Sequence, residues 1–165
     1  MLRIRTATTA DVGTILGLIR DLARYERDPD AVIATEADLL RDGFGPAPKF
    51  RCDLAEWDGK PVGFVLWFWN WSTWLGKPGL YLEDLFVQPE VRGRGIGKAL
   101  LVHLARLAVQ EGCGRFQWQV LDWNEPSIKF YESLGARKLP SWLSMRVEGG
   151  ALERLAKVAT VAVEP

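Results

Sequence analysis

The most informative stretch of this 165-residue chain reads Leu85-Phe86-Val87-Gln88-Pro89-Glu90-Val91-Arg92-Gly93-Arg94-Gly95-Ile96-Gly97-Lys98. A strand-like run from Leu80 to Val87 leads into it, and a long helix-like run from Gly95 to Gly112 leads out. Closely spaced glycines let successive backbone N–H groups converge on an anion, and a helix N-terminus adds about half a positive charge. Arg92 and Arg94 supply fixed charge for further phosphate oxygens. The stretch therefore predicts an anion site that suits a pyrophosphate.

Two familiar phosphate motifs do not fit these glycines. A Walker loop ends in Gly-Lys-Ser or Gly-Lys-Thr, whereas Gly97 is followed by Lys98-Ala99, which offers no hydroxyl for magnesium. A Rossmann fingerprint needs Gly-x-Gly-x-x-Gly after the first strand of its unit, but Gly93, Gly95 and Gly97 alternate with single residues in mid-chain. Two alternatives stay open: an anion site of another kind, and a glycine-rich turn that binds nothing.

The residues on either side of this loop predict an α/β protein with a mixed sheet. Strands and amphipathic helices follow one another in the order βααβββαβαβ, without an internal repeat or a linker. The other predicted strands are Leu2 to Ala7, Phe50 to Trp57, Val62 to Asn70, Arg115 to Leu121 and Trp142 to Val147. The other predicted helices run from Thr8 to Tyr25, from Thr35 to Gly43, from Asn124 to Gly135 and from about Gly150 onward. Hairpins combined with helical crossovers favour a mixed central sheet flanked by helices. We expect one domain over residues 1–165, with its core at about 2–148 and a helical tail at 149–165.

Local signals set several boundaries of these elements. The segments Thr8 to Asp11 and Thr35 to Asp38 are capping boxes, which open helices. Asp58-Gly59 between two apolar runs is a strong β-hairpin signal. The run from Phe64 to Trp69 is too apolar for a strand with one face in water. We expect it to be covered on both faces or to lie against a partner chain.

The composition argues against several classes of function. Lysine plus arginine equals aspartate plus glutamate at 21 each, so no positive surplus favours a nucleic acid or an anionic membrane surface. Cys52 and Cys113 lack metal-ligand spacing, and His103 is the single histidine, so we expect neither a disulfide framework nor a metal. The first residues lack the apolar region of a signal peptide, and no run reaches the length of a membrane span. We expect a cytoplasmic protein.

The signature R-x-x-G-x-G, formed by Arg92, Gly95 and Gly97, resembles that of the GNAT superfamily of N-acetyltransferases. The resemblance implies the GNAT fold and a loop that binds the pyrophosphate of acetyl-CoA. It also implies that the strand before the loop contains a bulge and diverges from the neighbouring strand. The backbone groups that no longer pair are then free to bind the pantetheine arm and the thioester carbonyl. The implied cofactor-binding residues are Leu85, Phe86, Val87, Arg92, Gly93, Arg94, Gly95, Ile96, Gly97, Lys98, Asn124, Ser127 and Tyr131.

Within this family the chain is similar to the spermidine/spermine and thialysine N-acetyltransferases, from about Ile4 to Ala159. The matching segments are Tyr25-Glu26, Asp42 to Gly45, Trp74 to Lys77, Tyr81 to Asp84, Arg92 to Gly97, Trp123 to Ile128, Phe130-Tyr131 and Gly135-Ala136. Ser72-Thr73-Trp74 and Leu121 to Asn124 look more like the thialysine enzymes. The resemblance implies a homodimer with acceptor sites near the interface, which the apolar excess of the tryptophan-rich run tolerates.

Acetyl transfer to an amine needs proton transfers, because an alkyl ammonium has a pKa near ~10 and only about one molecule in a thousand is free amine at neutral pH. Glu83, on the strand before the loop, is the candidate base, and Tyr131 is the candidate acid for the departing sulfur. Both positions match the family. Without that match, Glu83 could be a solvated strand end and Tyr131 a core residue. Cys113 has no histidine near it in sequence, so we expect direct attack in a ternary complex.

The predicted acceptor pocket is acidic and aromatic. Glu26, Glu83 and Asp84 would pair with an ammonium, and Trp74 and Trp142 would form walls that add cation–π attraction. These residues suit a small cationic amine, namely a diamine or polyamine.

The segment Arg27-Asp28-Pro29-Asp30 departs from the polyamine enzymes, since Arg27 would repel a long polycation if it points inward. A thialysine-like or lysine-like acceptor therefore stays open. Two alternative functions are a protein or peptide N-acetyltransferase and a non-catalytic acyl-CoA-binding regulator.

Overall fold

The structure, a computed structural model, describes residues 1–158 in two units, residues 1–119 and residues from Val120 onward. The first unit contains β1 (Leu2–Thr6), α1 (Val12–Tyr25), α2 (Glu36–Gly43), β2 (Arg51–Trp57), β3 (Lys60–Ser72), β4 (Lys77–Val87), α3 (Ile96–Gln110) and β5 (Arg115–Gln117). The second contains α4 (Glu125–Ser133) and α5 (Gly149–Ala156). The predicted tail at 149–165 is helical in its first part, and residues 159–165 lie outside the described residues.

The five strands form one mixed sheet in the order β1-β2-β3-β4-β5. The first four strands are antiparallel neighbours, and β5 runs parallel to β4. The β2–β3 hairpin turns at Asp58 and Gly59, which both have positive φ, 50° and 79°. The predicted mixed sheet and the predicted hairpin are therefore confirmed.

Helices cover both faces of the central strands. On the α1 side, Ile15, Leu54 and Phe64 are fully buried and belong to one apolar cluster. Helix α3 contacts β3, β4 and β5 and buries Leu100 and Leu104 completely. The expectation that the apolar run in β3 is covered on both faces holds for Phe64 to Trp67, whereas Trp69 is 40% exposed.

An ion-pair network joins the start of α1 to the sheet. The Arg5 guanidinium donates to both carboxylate oxygens of Asp11, at 2.7 and 2.8 Å, and its Nε donates to Glu56 Oε1 at 2.6 Å. Asp11 Oδ2 also accepts from the Thr8 backbone N–H at 2.8 Å, as a capping box requires. The box opens a short 3₁₀ turn, Thr9–Asp11, from which α1 continues. The second box is also present, with Asp38 N–H donating to Thr35 Oγ1.

Two predicted strands differ from the structure. The strand predicted from Arg115 to Leu121 ends at Gln117. The strand predicted from Trp142 to Val147 is wrong, since these residues form neither helix nor strand. The adjacent apolar side chains Trp142 and Leu143 are 69% and 83% exposed, so neither face of the predicted strand is buried. Apolar alternation favours a strand only where a neighbouring strand supplies hydrogen bonds.

Replacing Asp11 tests the network. Asp11→Asn should lower the free energy of unfolding at pH 7 by roughly 2–3 kcal/mol, near the cost of losing a charged hydrogen-bond partner. The Arg5 guanidinium holds the pKa of Asp11 well below its usual range. Its stabilisation is therefore present above the unfolded pKa of about 3.9 and is lost as pH falls towards the native pKa. Urea unfolding of both proteins should show the same difference at pH 7 and pH 5 and a smaller one at pH 3; a difference at pH 3 as large as that at pH 7 would contradict this role.

Candidate functional site

A β-bulge in β4 determines which way its acidic residues face. Leu66 of β3 lies opposite Asp84, but the next residue, Trp67, lies opposite Leu82, so Glu83 is an extra residue with no opposite partner. Directly opposite residues in an antiparallel pair share a face. Asp84 therefore shares the α1 side of the sheet with Leu66, which belongs to the apolar cluster packed on α1.

Three carboxylates lie near enough to one another at this bulge for their charges to interact. The pKa of Asp84 is raised to about 7. The main cause is burial, and the negative charges of Glu83 and Glu26 also contribute. Burial also raises the pKa of Glu26, the residue that follows α1. The structure therefore brings together the three predicted acceptor-binding carboxylates, and Asp84 exchanges a proton near neutral pH.

The bulged strand pairs with β5 over only a short length. The parallel ladder joins Gly79–Tyr81 to Arg115–Gln117, and within residues 1–119 it goes no further. The backbone from Leu82 to Val87 therefore leaves this ladder, as the resemblance implied. Phe86 and Val87 are 3% and 7% exposed, so a ligand on this side would meet their backbone rather than their side chains.

The loop after β4 has the backbone that an anion nest requires. Gly93 and Gly95 have φ of 78° and 79°, a left-handed conformation that glycine adopts without strain. Apart from the adjacent residues of the chain, no atom lies within 4 Å of the position where a Cβ would stand at either residue, so the space beside the loop is open. Gly95 is also the N-cap of α3, whose first N–H groups carry the positive end of the helix dipole. These residues fit a pyrophosphate.

Both arginines of the loop rest on aromatic rings. Arg92 Cζ lies 4.4 Å from the centre of the Tyr25 ring and 5.6 Å from that of Phe86, and its Nε donates to the Val87 carbonyl at 2.9 Å. Arg94 Cζ lies 5.2 Å from the Trp57 ring. The pattern of glycines and arginines predicted only a phosphate-binding role for Arg92 and Arg94. It did not predict the contacts with Tyr25 and Trp57, which lie far away along the chain.

Four predicted site residues lie in the second unit. Asn124 is buried, and its Oδ1 accepts from Ser127 N–H at 3.4 Å, so the predicted N-cap of α4 is confirmed. Tyr131 lies in the same helix with its ring centre 5.4 Å from that of Phe130. Trp142 lies between α4 and α5 and is 69% exposed.

Trp74 is the predicted site residue that the first unit does not bring to the carboxylates. It lies in the turn between β3 and β4 and is 86% exposed. Along β4 alone, the six steps from Lys77 to Glu83 extend about 20 Å at roughly 3.3 Å per residue. Trp74 therefore cannot form a wall around the acidic cluster of its own chain.

Residues 1–158 contain neither a cluster of metal-binding side chains nor a membrane-spanning helix. No group of three or more His, Cys, Asp or Glu side chains there could hold a metal ion. None of the helices in this part of the chain is both long and apolar enough to cross a membrane.

A bulged strand, a glycine nest at a helix N-terminus and a mixed sheet together define the fold of an acyltransferase domain, and the chain belongs to the acetyltransferase (GNAT) family. The family model matches residues 15–136, from α1 to just beyond α4. The chain is accordingly an N-acetyltransferase that acts on amines.

Individual relatives agree with this assignment. The chain is 43% identical over 164 residues to a thialysine N-epsilon-acetyltransferase of Sus scrofa, covering 93% of this chain and 96% of that enzyme. It is 42% identical over 146 residues to spermidine/spermine N(1)-acetyltransferase-like protein 1 of Homo sapiens, covering 84% of this chain and 21% of that protein. An integron cassette protein from the mobile metagenome of V. cholerae has a similar solved structure. Its TM-score is 0.80 and its identity 29%, over 94% of this chain and 98% of that one.

The protonation of Asp84 should be visible in stability. Its native pKa of about 7 lies above an unfolded value near 3.9, so the folded state keeps a proton that the unfolded state loses. The wild type should therefore lose stability from this group as pH rises from about 4 to 7. Asp84→Asn removes that loss, so its melting temperature relative to wild type should be higher at pH 8 than at pH 5. An equal difference at the two pH values would show that Asp84 does not titrate in this window.

Proposed function

We propose that this enzyme transfers the acetyl group of acetyl-CoA to the primary amine of a small cationic acceptor. The observation that carries the proposal is the convergence of Glu26, Glu83 and Asp84 at the bulge of the strand that leads into the anion nest. Carboxylates attract an ammonium and the nest attracts a pyrophosphate, so one strand connects two sites of opposite charge preference.

Acetyl-CoA would supply the acetyl group as a thioester. The backbone N–H groups of the loop from Gly93 to Gly97, with Arg92, Arg94 and Lys98, would hold its pyrophosphate. The backbone of Leu85 to Val87, which leaves the ladder with β5, would hold the pantetheine arm. Asn124 and Ser127 are assigned to the pantetheine side by resemblance.

Proton transfer is assigned to two side chains. Glu83, exposed at the bulge, would take a proton from the acceptor ammonium directly or through water. Tyr131 would donate its phenolic proton to the leaving sulfur. Burial and the charge of Glu111 raise the pKa of Cys113, which disfavours the thiolate that a covalent mechanism needs. Direct attack in a ternary complex follows.

The acceptor class is best supported as thialysine-like or lysine-like. The enzyme of Sus scrofa that aligns over nearly the whole chain is named for thialysine. Arg27 follows Glu26 directly, in a left-handed conformation with φ of 67° that closes α1. If its guanidinium points towards the acidic cluster, it disfavours a long polycation relative to an acceptor with one ammonium and one carboxylate.

We also propose that the enzyme is a cytoplasmic homodimer. The support is the resemblance, the balanced charge and the exposed tryptophans at the β3–β4 turn, Trp71 at 60% and Trp74 at 86%. Because Trp74 lies far along β4 from its own acidic cluster, a wall of the acceptor pocket formed by Trp74 would have to come from a second copy.

A turnover screen tests the proposed function. Release of free thiol from acetyl-CoA should be measured with thialysine, lysine, ornithine, spermidine and a peptide bearing a free amine. We expect the highest kcat/KM with thialysine or lysine. Activity on the peptide alone would favour a protein acetyltransferase, and acetyl-CoA binding without turnover of any amine would favour a regulator; either result would overturn the proposal.

The acid role predicts a kinetic change at Tyr131. Tyr131→Phe removes the phenolic proton but keeps the ring, so kcat should fall tenfold or more while the acetyl-CoA affinity changes little. Tyr81→Phe is a matched control, because the Tyr81 ring stacks on Phe68 at 5.1 Å and this contact survives the change. An unchanged kcat in Tyr131→Phe would remove Tyr131 from the mechanism.

A further inference from the structure

We propose that Arg92 is a positioning residue for the acceptor amine, because it holds the last turn of α1, and with it Glu26, beside the acidic bulge. This role adds to the cofactor role given to the loop, and it rests on the proposed acceptor site. Nothing in the signature R-x-x-G-x-G indicates it, since the signature concerns the phosphate side alone.

The Arg92 side chain joins β4 to α1. Its Nε donates to the carbonyl of Val87, the last residue of β4, at 2.9 Å. Its guanidinium lies 4.4 Å from the centre of the Tyr25 ring, and Tyr25 is the last residue of α1. One planar side chain therefore contacts the end of the strand that carries Glu83 and Asp84 and the end of the helix that precedes Glu26.

Glu26 cannot move independently of Tyr25. Its N–H donates to Leu22 O at 2.9 Å, and the next N–H groups, of Arg27 and Asp28, donate to Arg24 O and Ala23 O at 3.2 and 3.0 Å. These bonds form a closed C-terminal turn of the helix. A shift of the end of α1 would therefore move Glu26 relative to Asp84, and the charge of Glu26 is one of the causes that raise the pKa of Asp84.

The second arginine of the loop provides a contrast. Arg94 stacks on Trp57, at the end of β2, rather than on α1. Arg92 and Arg94 thus contact different neighbours of the same loop, and only Arg92 contacts the helix that ends at the acceptor site.

A charge-based role and a positioning role of Arg92 predict different results for Arg92→Lys. Lysine keeps the positive charge but not the planar fork that stacks on a ring while it donates to a carbonyl. A purely electrostatic or phosphate-binding role predicts little change in either KM. A positioning role predicts that KM for the amine rises severalfold or more while KM for acetyl-CoA stays within about twofold of wild type.

The experiment measures both KM values for Arg92→Lys, Tyr25→Leu and the double variant, with thialysine as acceptor. We expect each single variant to raise KM for thialysine, and the double variant to be no worse than the poorer single variant, because both changes break one contact. Arg24→Lys is the matched control, since Arg24 lies in the same helical turn but pairs with Asp21. An unchanged KM for thialysine in Arg92→Lys, or additive effects in the double variant, would overturn the proposal.

Two further measurements separate this proposal from the proposed function. Glu26→Gln tests the acceptor site itself: if it raises KM for thialysine and Arg92→Lys does not, the acceptor site stands and the role of Arg92 falls. If neither changes KM, both proposals fall. Hydrogen exchange gives a readout without turnover. The N–H groups of residues 26–28 should exchange faster in Arg92→Lys and Tyr25→Leu than in wild type, and equal rates would also overturn the positioning role.

Discussion

The single inserted residue in β4 is the constraint on which the candidate site depends. A regular strand alternates its side chains, so Leu82, Asp84 and Phe86 would share one face. The insertion at Glu83 separates Leu82, opposite Trp67, from Asp84, opposite Leu66. Asp84 then lies on the side where α1 ends, close enough to Glu26 for their charges to interact. Without the insertion, Asp84 and Leu82 would lie on the same face of the strand. The strand could then not present Asp84 to the end of α1 and still bury Leu82 on the other face.

The segment from the bulge to the start of α3 connects two electrostatic environments. The acidic end favours an ammonium, and the glycine nest with the helix N-terminus favours a phosphate. If Arg92 and Arg94 were free to reach the carboxylates at the bulge, they would form ion pairs with them. Both the ammonium site and the phosphate site would then be weaker. Stacking on Tyr25 and Trp57 fixes the two guanidinium groups, and each such contact contributes roughly 0.5–1 kcal/mol at a partly exposed site. The aromatic rings therefore limit how far the two guanidinium groups can move.

The parts of the fold that could be predicted are those whose signals are local. Capping boxes, the Asp58-Gly59 hairpin and the glycine loop each depend on a few neighbouring residues, and all lie where the sequence placed them. The strand at Trp142 to Val147 failed because alternation reports only a tendency, and the required partner strand is a property of the fold. The contact of Arg92 with Tyr25 could not be predicted either, because it joins residues that are far apart along the chain and is therefore also a property of the fold. The raised pKa of Asp84 could not be predicted either, because it results mainly from burial, and the adjacent pair Glu83-Asp84 does not show which of the two is buried.

The early end of the β4–β5 ladder has a consequence for solubility. Beyond Tyr81, β4 is an edge within the described first unit, and its backbone N–H and C=O groups could pair with a strand of another molecule. Glu83 lies exposed on this stretch, and a charge on an exposed edge opposes such pairing. The carboxylate that would take a proton from the amine would also oppose aggregation, so a substitution that neutralises Glu83 would affect the yield of soluble protein as well as the kinetics.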